Sequence, residues 1–506
     1  METELKLKVP ADELERLRRH PMLAGRALGE PVEHHLVDTY YDTPERALWQ
    51  AGLTLRVRAD GGRWIQTVKS ANEASGSLHR RGEWECDLPD AHPRPDLLAR
   101  QVKPTALAEL LRSAAIASDL APLFQNTTHR TTWRIALADG QELACALDAG
   151  SIAAGDRQAS IAELELELKQ GDPAQLFRLA LDLHHEVPLQ VVVDSKAARG
   201  YALLDAAQAP VQRAHKAAPV RLRGKMTLEQ AFVAIGANCL AQLESNVPGV
   251  LKRDVDSLHQ MRVGLRRLRA LVGMFEELVQ PPAAVREGLD WLAKELGAAR
   301  DWDVLAGSTL ESIAGLDPAS LRQAAETRAE AHHRQLAQTL RAPHFTQVLL
   351  QVGGWLHGRA WRGDDGLAKD SPLAAAARSA MRPLLRKAEK RLDKRIAALD
   401  TTDAHARHRT RIAAKKARYA AEFFQDLLPA RRVKPYVGRL SKLQDRLGML
   451  NDYAVADRLL DELKGSNAQV ARQAAYVRGY LAASTAAQSA RLGKALASAA
   501  GRRMGG

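Results

Sequence analysis

The hydrophobic period changes once along this chain, and that change limits the folds open to it. Up to about residue 205, short segments alternate with period two. Glu2, Glu4, Lys6 and Lys8 share one side of a stretch whose other side carries Leu5 and Leu7. Residues 53–58, 64–69, 83–88, 130–137, 142–148, 161–168 and 190–194 complete about eight predicted strands. Gly61-Gly62 and Asp139-Gly140 read as hairpin turns, and 11–20 and 173–185 as helices between strands. From Thr227 the period becomes helical, opened by a capping box of Thr227 with Gln230. The intervening residues 206–225 are basic and rich in Ala and Pro, as a linker would be. The expected fold class is therefore α+β, with domains at 1–205 and 226–506 joined by that linker, which suits a length of 506 residues.

Charge follows the same division. Residues 1–205 hold 24 Lys+Arg against 31 Asp+Glu, and residues 206–506 hold 49 against 29. A basic helical module of this size suits a polyanion such as nucleic acid, an acidic membrane or polyphosphate. Aromatics are only 5% of the chain, which disfavours single-strand nucleic-acid binding by base stacking. The three cysteines (Cys86, Cys145, Cys239) have neither disulfide nor zinc spacing and point to a reducing, cytoplasmic setting. A start charged from residue 2 carries no signal-peptide pattern, and no apolar run reaches membrane-spanning length.

The helical part repeats itself. His259, Arg262, Arg266 and Arg269 stand at i, i+3, i+7 and i+10, and His408, Arg411, Lys415 and Arg418 reproduce them 149 residues later. Downstream, Leu296-Gly297 with Arg300-Asp301 matches Leu447-Gly448 with Asn451-Asp452. The spacing puts each set on one helix face and indicates a duplicated helical bundle. Like charges on one face repel unless an anion lies across them. A solvated basic face is the common meaning of one such helix, but a matched pair containing His favours a ligand. Arg267 and Lys416 adjoin these faces. Lys252-Arg253 and Arg431-Arg432 have no such pattern and read as surface.

The strand faces also carry charge at their centres: Arg56/Arg58, Lys69, Arg81/Glu83/Glu85, Arg130/Arg134, Asp148, Glu163/Glu165/Glu167 and Lys196. These could be the wet side of an ordinary sheet. Three glutamates in a row, however, repel without compensation. A barrel with a charged lumen accounts for both features. Its acidic strands would hold divalent cations, and its basic strands a phosphate chain. The adjacent pairs His34-His35, His184-His185 and His332-His333 diverge on any regular element and lack a third ligand. Trp49, Trp64, Trp84 and Trp133 read as packing.

The stretch ETELK at 2–6, YYDTPERALWQAGLTLRVR at 40–58, Thr67-Val68-Lys69 and AELELELK at 162–169 resemble, in order, the CYTH family of triphosphate tunnel metalloenzymes. The paired His/Lys/Arg repeats resemble a CHAD domain. Together they resemble CYTH–CHAD proteins of the inorganic triphosphatase type. That resemblance implies an eight-stranded antiparallel tunnel with flanking helices, followed by an all-α duplicated bundle. It implies metal binding, by Mg²⁺ or Mn²⁺, at Glu2 and Glu4 with some of Glu163, Glu165 and Glu167. Lys6, Lys8, Arg56, Arg58, Lys69, Arg81, Arg130 and Lys196 would grip triphosphate, and Asp148 would lie near the metal. Glu2, Glu4, Lys6 and Asp148 are the implied catalytic set, with Lys6 as a phosphate ligand and the general base unassigned. The eight residues of the helical repeats would bind inorganic polyphosphate. The implied activity is hydrolysis of inorganic triphosphate to diphosphate and phosphate. Adenylate cyclase, another nucleotide or thiamine triphosphatase, and a non-catalytic polyphosphate scaffold remain alternatives. Membrane and nucleic acid are not expected partners, and the oligomeric state is left open.

Overall fold

Alternation in β1 (Glu2–Lys8) decides the layout of the first part: Leu5 and Leu7 are fully buried in an outer apolar layer, and Glu4 and Lys6 face inward. The computed structural model of the protein describes residues 2–70, 76–102, 105–137, 140–205, 214–313, 319–362 and 366–500; of Glu2, Arg80 and Thr105 it describes the backbone alone. Part of the expected linker, 206–213, and Asp139 of the second hairpin turn lie outside those residues.

Ten strands form one antiparallel sheet: β1, β2 (Val32–Asp42), β3 (Leu53–Asp60), β4 (Arg63–Ser70), β5 (Leu78–Arg81), β6 (Glu83–Leu88), β7 (Ala121–Ala136), β8 (Glu142–Ala154), β9 (Arg157–Gln170) and β10 (Gln190–Val191). The order β1-β9-β8-β7-β2-β3-β4-β6 closes because β5, which continues into β6, pairs with β1. β5 and β6 are one strand broken at Gly82, so the wall has eight strands. Gly82 exchanges hydrogen bonds with Ser70 at the end of β4. A Cβ there would lie 2.4 Å from the Trp84 ring, so the break needs glycine.

The eight walls differ in one member from the eight predicted strands. β2 is a strand that the alternation did not reveal. The expected strand at 190–194 pairs only over Gln190–Val191. β2 escaped because its inner face, Leu36, Asp38 and Tyr40, mixes apolar and charged residues, which erases the period-two signal. Lys196 is a second correction. It starts the helix Lys196–Asp205 rather than lying on a strand, where Ser195 Oγ accepts from Ala198 N. That helix closes one end of the barrel, where Ala197 and Tyr201 pack with Tyr40, Phe124, Ile152 and Ile161.

Two compact units result, residues 1–213 with 341–359, and residues 214–340 with 360–506. Nothing in the sequence marks the first unit's second segment. The helix Pro343–Gly358 packs on the helix Ala174–His184, with Leu350 in the same apolar cluster as Leu5, Leu7 and Phe177. His184 accepts from Leu189 N through Nδ1 and donates to Pro343 O through Nε2. Gly353 touches Phe177 so closely that a Cβ would fall 2.3 Å from its ring. Gly353→Ala is expected to destabilise the first unit by about 1–3 kcal/mol. Scanning calorimetry should show one transition shifted down and the other unmoved. Two unshifted transitions would mean that the helix is not part of that unit's core.

The second unit repeats a helical plan. The helices Leu228–Glu244, Val255–Met274 and Ala283–Val304 correspond to Ala377–Ala397, Ala404–Phe423 and Ala430–Glu462. The Thr227–Gln230 capping box forms in both directions.

Candidate functional site

The barrel encloses a cavity of about 910 Å³. Glu4, Lys6, Arg56, Arg58, Lys69, Arg81, Arg130, Asp148, Glu165, Glu167 and Lys196 all line it, drawn from β1, β3, β4, β5, β7, β8, β9 and the closing helix. Alternation along each strand places them there, and closure brings residues nearly 200 positions apart into contact.

At the centre, Glu165 accepts from Lys6 at 2.6 Å, Lys196 at 2.8 Å and Arg130 at 2.6 Å. Arg130 forks onto Asp148 at 2.7 and 2.6 Å, and Lys196 reaches Asp148 at 2.8 Å. Arg81 donates to Glu4 at 2.5 Å, with Lys6 at 3.3 Å from the same oxygen. Lys69 pairs with Glu83 at 2.7 Å. Burial works against charge in Glu165 and Asp148, but Lys196 and the other cations outweigh it and hold both carboxyls below their ordinary range. Burial likewise opposes the Lys6 ammonium, yet Glu165 and Glu4 keep its pKa above the usual value. These two carboxylates thus favour the charged form of Lys6. His79 on β5 is pushed down to about 4 by burial first and then by Lys6.

Three expected residues stand apart. Lys8 is exposed at the end of β1. Glu163 is buried and pairs with Lys196 at 2.9 Å and with Arg199, which pins the closing helix to β9. The Glu2 side chain lies outside the described residues; its backbone pairs with Arg81. The residue reasoning missed is Asp38 on β2. It receives Arg58 at 2.7 and 3.0 Å and Arg56 at 3.4 Å, and they hold its carboxyl far below the usual range against the opposing effect of burial. The alternation Leu36-x-Asp38-x-Tyr40 was its only signal. Glu142 and Lys169 also line the cavity unannounced.

Among the described residues no three His, Cys, Asp or Glu converge as a ready metal cage. Mg²⁺ does not require one, since it takes one or two carboxylates and completes its shell from water and phosphate. Glu4 and Glu167 are direct cross-strand partners on the inner face. Beside them, Lys6 faces Glu165. The described lining holds nine Lys or Arg and eight Asp or Glu, so the lumen is close to neutral. A phosphate chain entering it needs further positive charge, which a divalent cation supplies. The donor set therefore fits such a metal at Glu4 and Glu167, with Glu165 adjacent.

The repeated faces of the second unit also come together. The helices Val255–Met274 and Ala404–Phe423 pack together, and Arg266, Arg411 and Lys415 repel one another across them. Arg266 Nε and Arg411 Nε are buried without a hydrogen-bond partner. Burial, then Arg411 and Arg266, push Lys415 down to about 7. Arg262 donates to Leu296 O and Gly297 O at 2.7 Å, and burial with neighbouring Arg266 and Arg300 lowers its pKa despite Asp301. His259 lies among Arg300, Arg266 and Arg262, while His408 bonds Asn451 at 3.0 Å. The far turn of each face behaves differently. Arg269 pairs with Asp290 at 2.6 Å, and Arg418 bonds Gln444 and Glu422. Arg267 bonds Asn238 and Gln242 beneath the Phe423 ring, a packing role.

Comparison with known proteins recovers both domains. A family model for the CYTH domain matches residues 1–201, and one for the CHAD domain matches 234–461. An inorganic triphosphatase of Haemophilus influenzae is 31% identical over 175 residues, 34% of this chain. The chain spans about half, 47%, of that relative's length. The crystal structure of the CHAD domain from the plant Ricinus communis is 36% identical, with a TM-score of 0.53 over 58% of this chain and 98% of that one. A putative adenylyl cyclase from Hippeastrum, described as having dominant triphosphatase activity, is 17% identical with a TM-score of 0.31 over 40% and 96% of the two chains. The chain carries a CYTH domain in its barrel and, through its helical unit, belongs to the CHAD family.

Proposed function

We propose that the barrel hydrolyses inorganic triphosphate to diphosphate and phosphate with a divalent metal, Mg²⁺ or Mn²⁺, and that the helical unit binds inorganic polyphosphate. The observation that carries the first half is the ring of Lys6, Arg56, Arg58, Lys69, Arg81, Arg130 and Lys196 around one cavity. These side chains bind and orient the phosphate oxygens, neutralise charge as it shifts to the leaving group, and need no covalent step. In the reaction a water oxygen bonds to the terminal phosphorus, the bridging P–O bond breaks, and diphosphate leaves with the bonding pair as the water loses a proton. Bound at Glu4 and Glu167, the metal would supply charge neutralisation and a more acidic water. Glu2, Glu4, Lys6 and Asp148 remain the proposed catalytic set.

Inorganic triphosphate is favoured over nucleotides by one feature of the wall. Among the described lining residues the single aromatic is Tyr40, and its ring stacks on Phe124 at 4.6 Å. Phe124 thus covers one face of the one described lining ring on which a purine could stack. The supporting comparison is the similar Haemophilus influenzae protein, named for that activity. Among the described residues no helix is long and apolar enough to cross a membrane, and the three cysteines are unbridged, consistent with the proposed cytoplasmic setting. Phosphate release from triphosphate, ATP and thiamine triphosphate, each with Mg²⁺, Mn²⁺ or EDTA, tests the reading. Fastest release is expected from inorganic triphosphate, with loss in EDTA. Equal or faster turnover of ATP would overturn the substrate assignment, and no release from any substrate would favour a binding scaffold.

A further inference from the structure

Between the charged chamber and its closed end stands a polar group with nothing to bind. Asn126 is fully buried, and neither its Oδ1 nor its Nδ2 has a hydrogen-bond partner. It belongs to β7, whose residues Thr128, Arg130, Thr132 and Arg134 all line the cavity. Period two puts Asn126 on that same inner face, one step deeper than Thr128. The next step, Phe124, already belongs to the apolar plug. Across the sheet Asn126 is paired with Asp38 on one side and with Ile152 on the other. The carboxamide therefore marks the boundary where the chamber's charges stop.

An unpaired buried amide destabilises a fold, and native proteins almost always avoid one. Leucine would fill a similar space here beside Phe124 and Ile152 without that penalty. A buried water needs two to four polar partners, and of the two cross-strand neighbours Ile152 supplies none while the carboxylate of Asp38 already receives Arg56 and Arg58. Groups left unsatisfied in the free protein are expected where a ligand completes them. The inner wall also fixes what could arrive. The closed end admits only the tip of a chain, and the chamber's cations select a phosphate tip. A neutral donor there can meet a phosphoryl oxygen without adding a further cation beside those already paired to Asp38.

We propose that Asn126 is a substrate-contacting residue at the closed end of the tunnel, its Nδ2 donating to an oxygen of the terminal phosphate of the inorganic chain. The assignment rests on the triphosphate reading of the cavity. It makes β2 and β7 a receptor for the chain end, in addition to the cations that hold the chain along its length. A group that serves the substrate and not the fold has an unusual signature: removing it should harm binding and leave stability unharmed.

The test uses the full chain with Asn126→Leu, and Asn126→Ala as a smaller replacement. Inorganic triphosphate affinity by calorimetry, kcat and KM, and the thermal midpoint without ligand are measured together. Affinity and kcat/KM are expected to fall about 10- to 100-fold, the range for a hydrogen bond to a charged partner. The midpoint of at least one variant should be unchanged or raised. Wild-type affinity and kcat/KM in a folded variant would overturn the proposal. So would a lowered midpoint or failure to fold in both variants, because the amide would then serve the fold. A wild-type chain that binds triphosphate without hydrolysing it would refute the triphosphatase reading while affinity still decides Asn126. Absence of binding would refute both.

Discussion

Glu4→Gln is expected to lower kcat/KM for inorganic triphosphate by about 10²- to 10³-fold, the scale seen when one preorganised electrostatic partner is removed. Glu4 is buried, takes Arg81 at 2.5 Å, lies 3.3 Å from the Lys6 ammonium, and faces Glu167 across β1 and β9. The substitution keeps the shape and an oxygen for Arg81. It removes the charge that a divalent cation would need and unbalances a nearly neutral lumen. Lys6 keeps Glu165 at 2.6 Å, so the barrel should stay closed, and the thermal midpoint should fall by several degrees at most. Steady-state kinetics over a Mg²⁺ titration check this. Near-wild-type turnover at saturating Mg²⁺ would remove Glu4 from the metal site.

Replacing both Arg266 and Lys415 by Ala is expected to weaken long-chain polyphosphate binding about 10- to 100-fold, with log affinity falling less steeply against log salt by roughly 1.4–1.8. The two residues occupy equivalent places in the repeats and repel each other across the paired helices. Their removal should therefore raise the thermal midpoint as it lowers affinity. Replacing Lys252 and Arg253, which have no counterpart in the other repeat, should cost much less. Equal losses would point to diffuse charge, and tighter binding of duplex DNA at matched salt would exclude polyphosphate as the preferred ligand. A pH dependence follows from Lys415, pushed down to about 7 in the folded protein. A polyanion restores the charged form, so binding takes up a proton. Affinity is full below about pH 7 and falls as pH rises above it. Lys415→Arg should flatten that profile. Without ligand the sign reverses: the unfolded chain binds the extra proton, so stability falls as pH drops from the ordinary lysine range toward 7.

Much of the barrel was legible because β1, β3 and β9 alternate cleanly between Leu or Val and charged residues. The charged set could be listed from that alternation and from family resemblance. Asp38 and Asn126 were not, because β2 and the inner end of β7 run from the charged chamber into the apolar plug. There the inner face changes chemistry partway along a strand, and period two no longer sorts residues. Lys196 lines the cavity as expected of the charged set, but from a helix start and not from a strand. Its contribution depends on where its ammonium reaches, which a helix start achieves as well as a strand.

In the helical unit, spacing alone paired His259 with His408 and Arg262 with Arg411. It could not separate Arg266 and Lys415, which repel each other, from Arg269 and Arg418, which find Asp290 and Glu422. Helical period fixes which residues share a face. Partners such as Asp290 are set by how another helix packs against that face.

The sequence by itself determined the change from sheet to helix, the duplication, and the inward charge of most strands, because each is a local periodicity. Tertiary structure decided closure through the broken β5–β6 strand, the plug that gives the tunnel one blind end, and the place of the helix Pro343–Gly358 in the first unit. Each depends on contacts between residues far apart in the chain. Local pattern states that a face must be buried, and only packing determines against what.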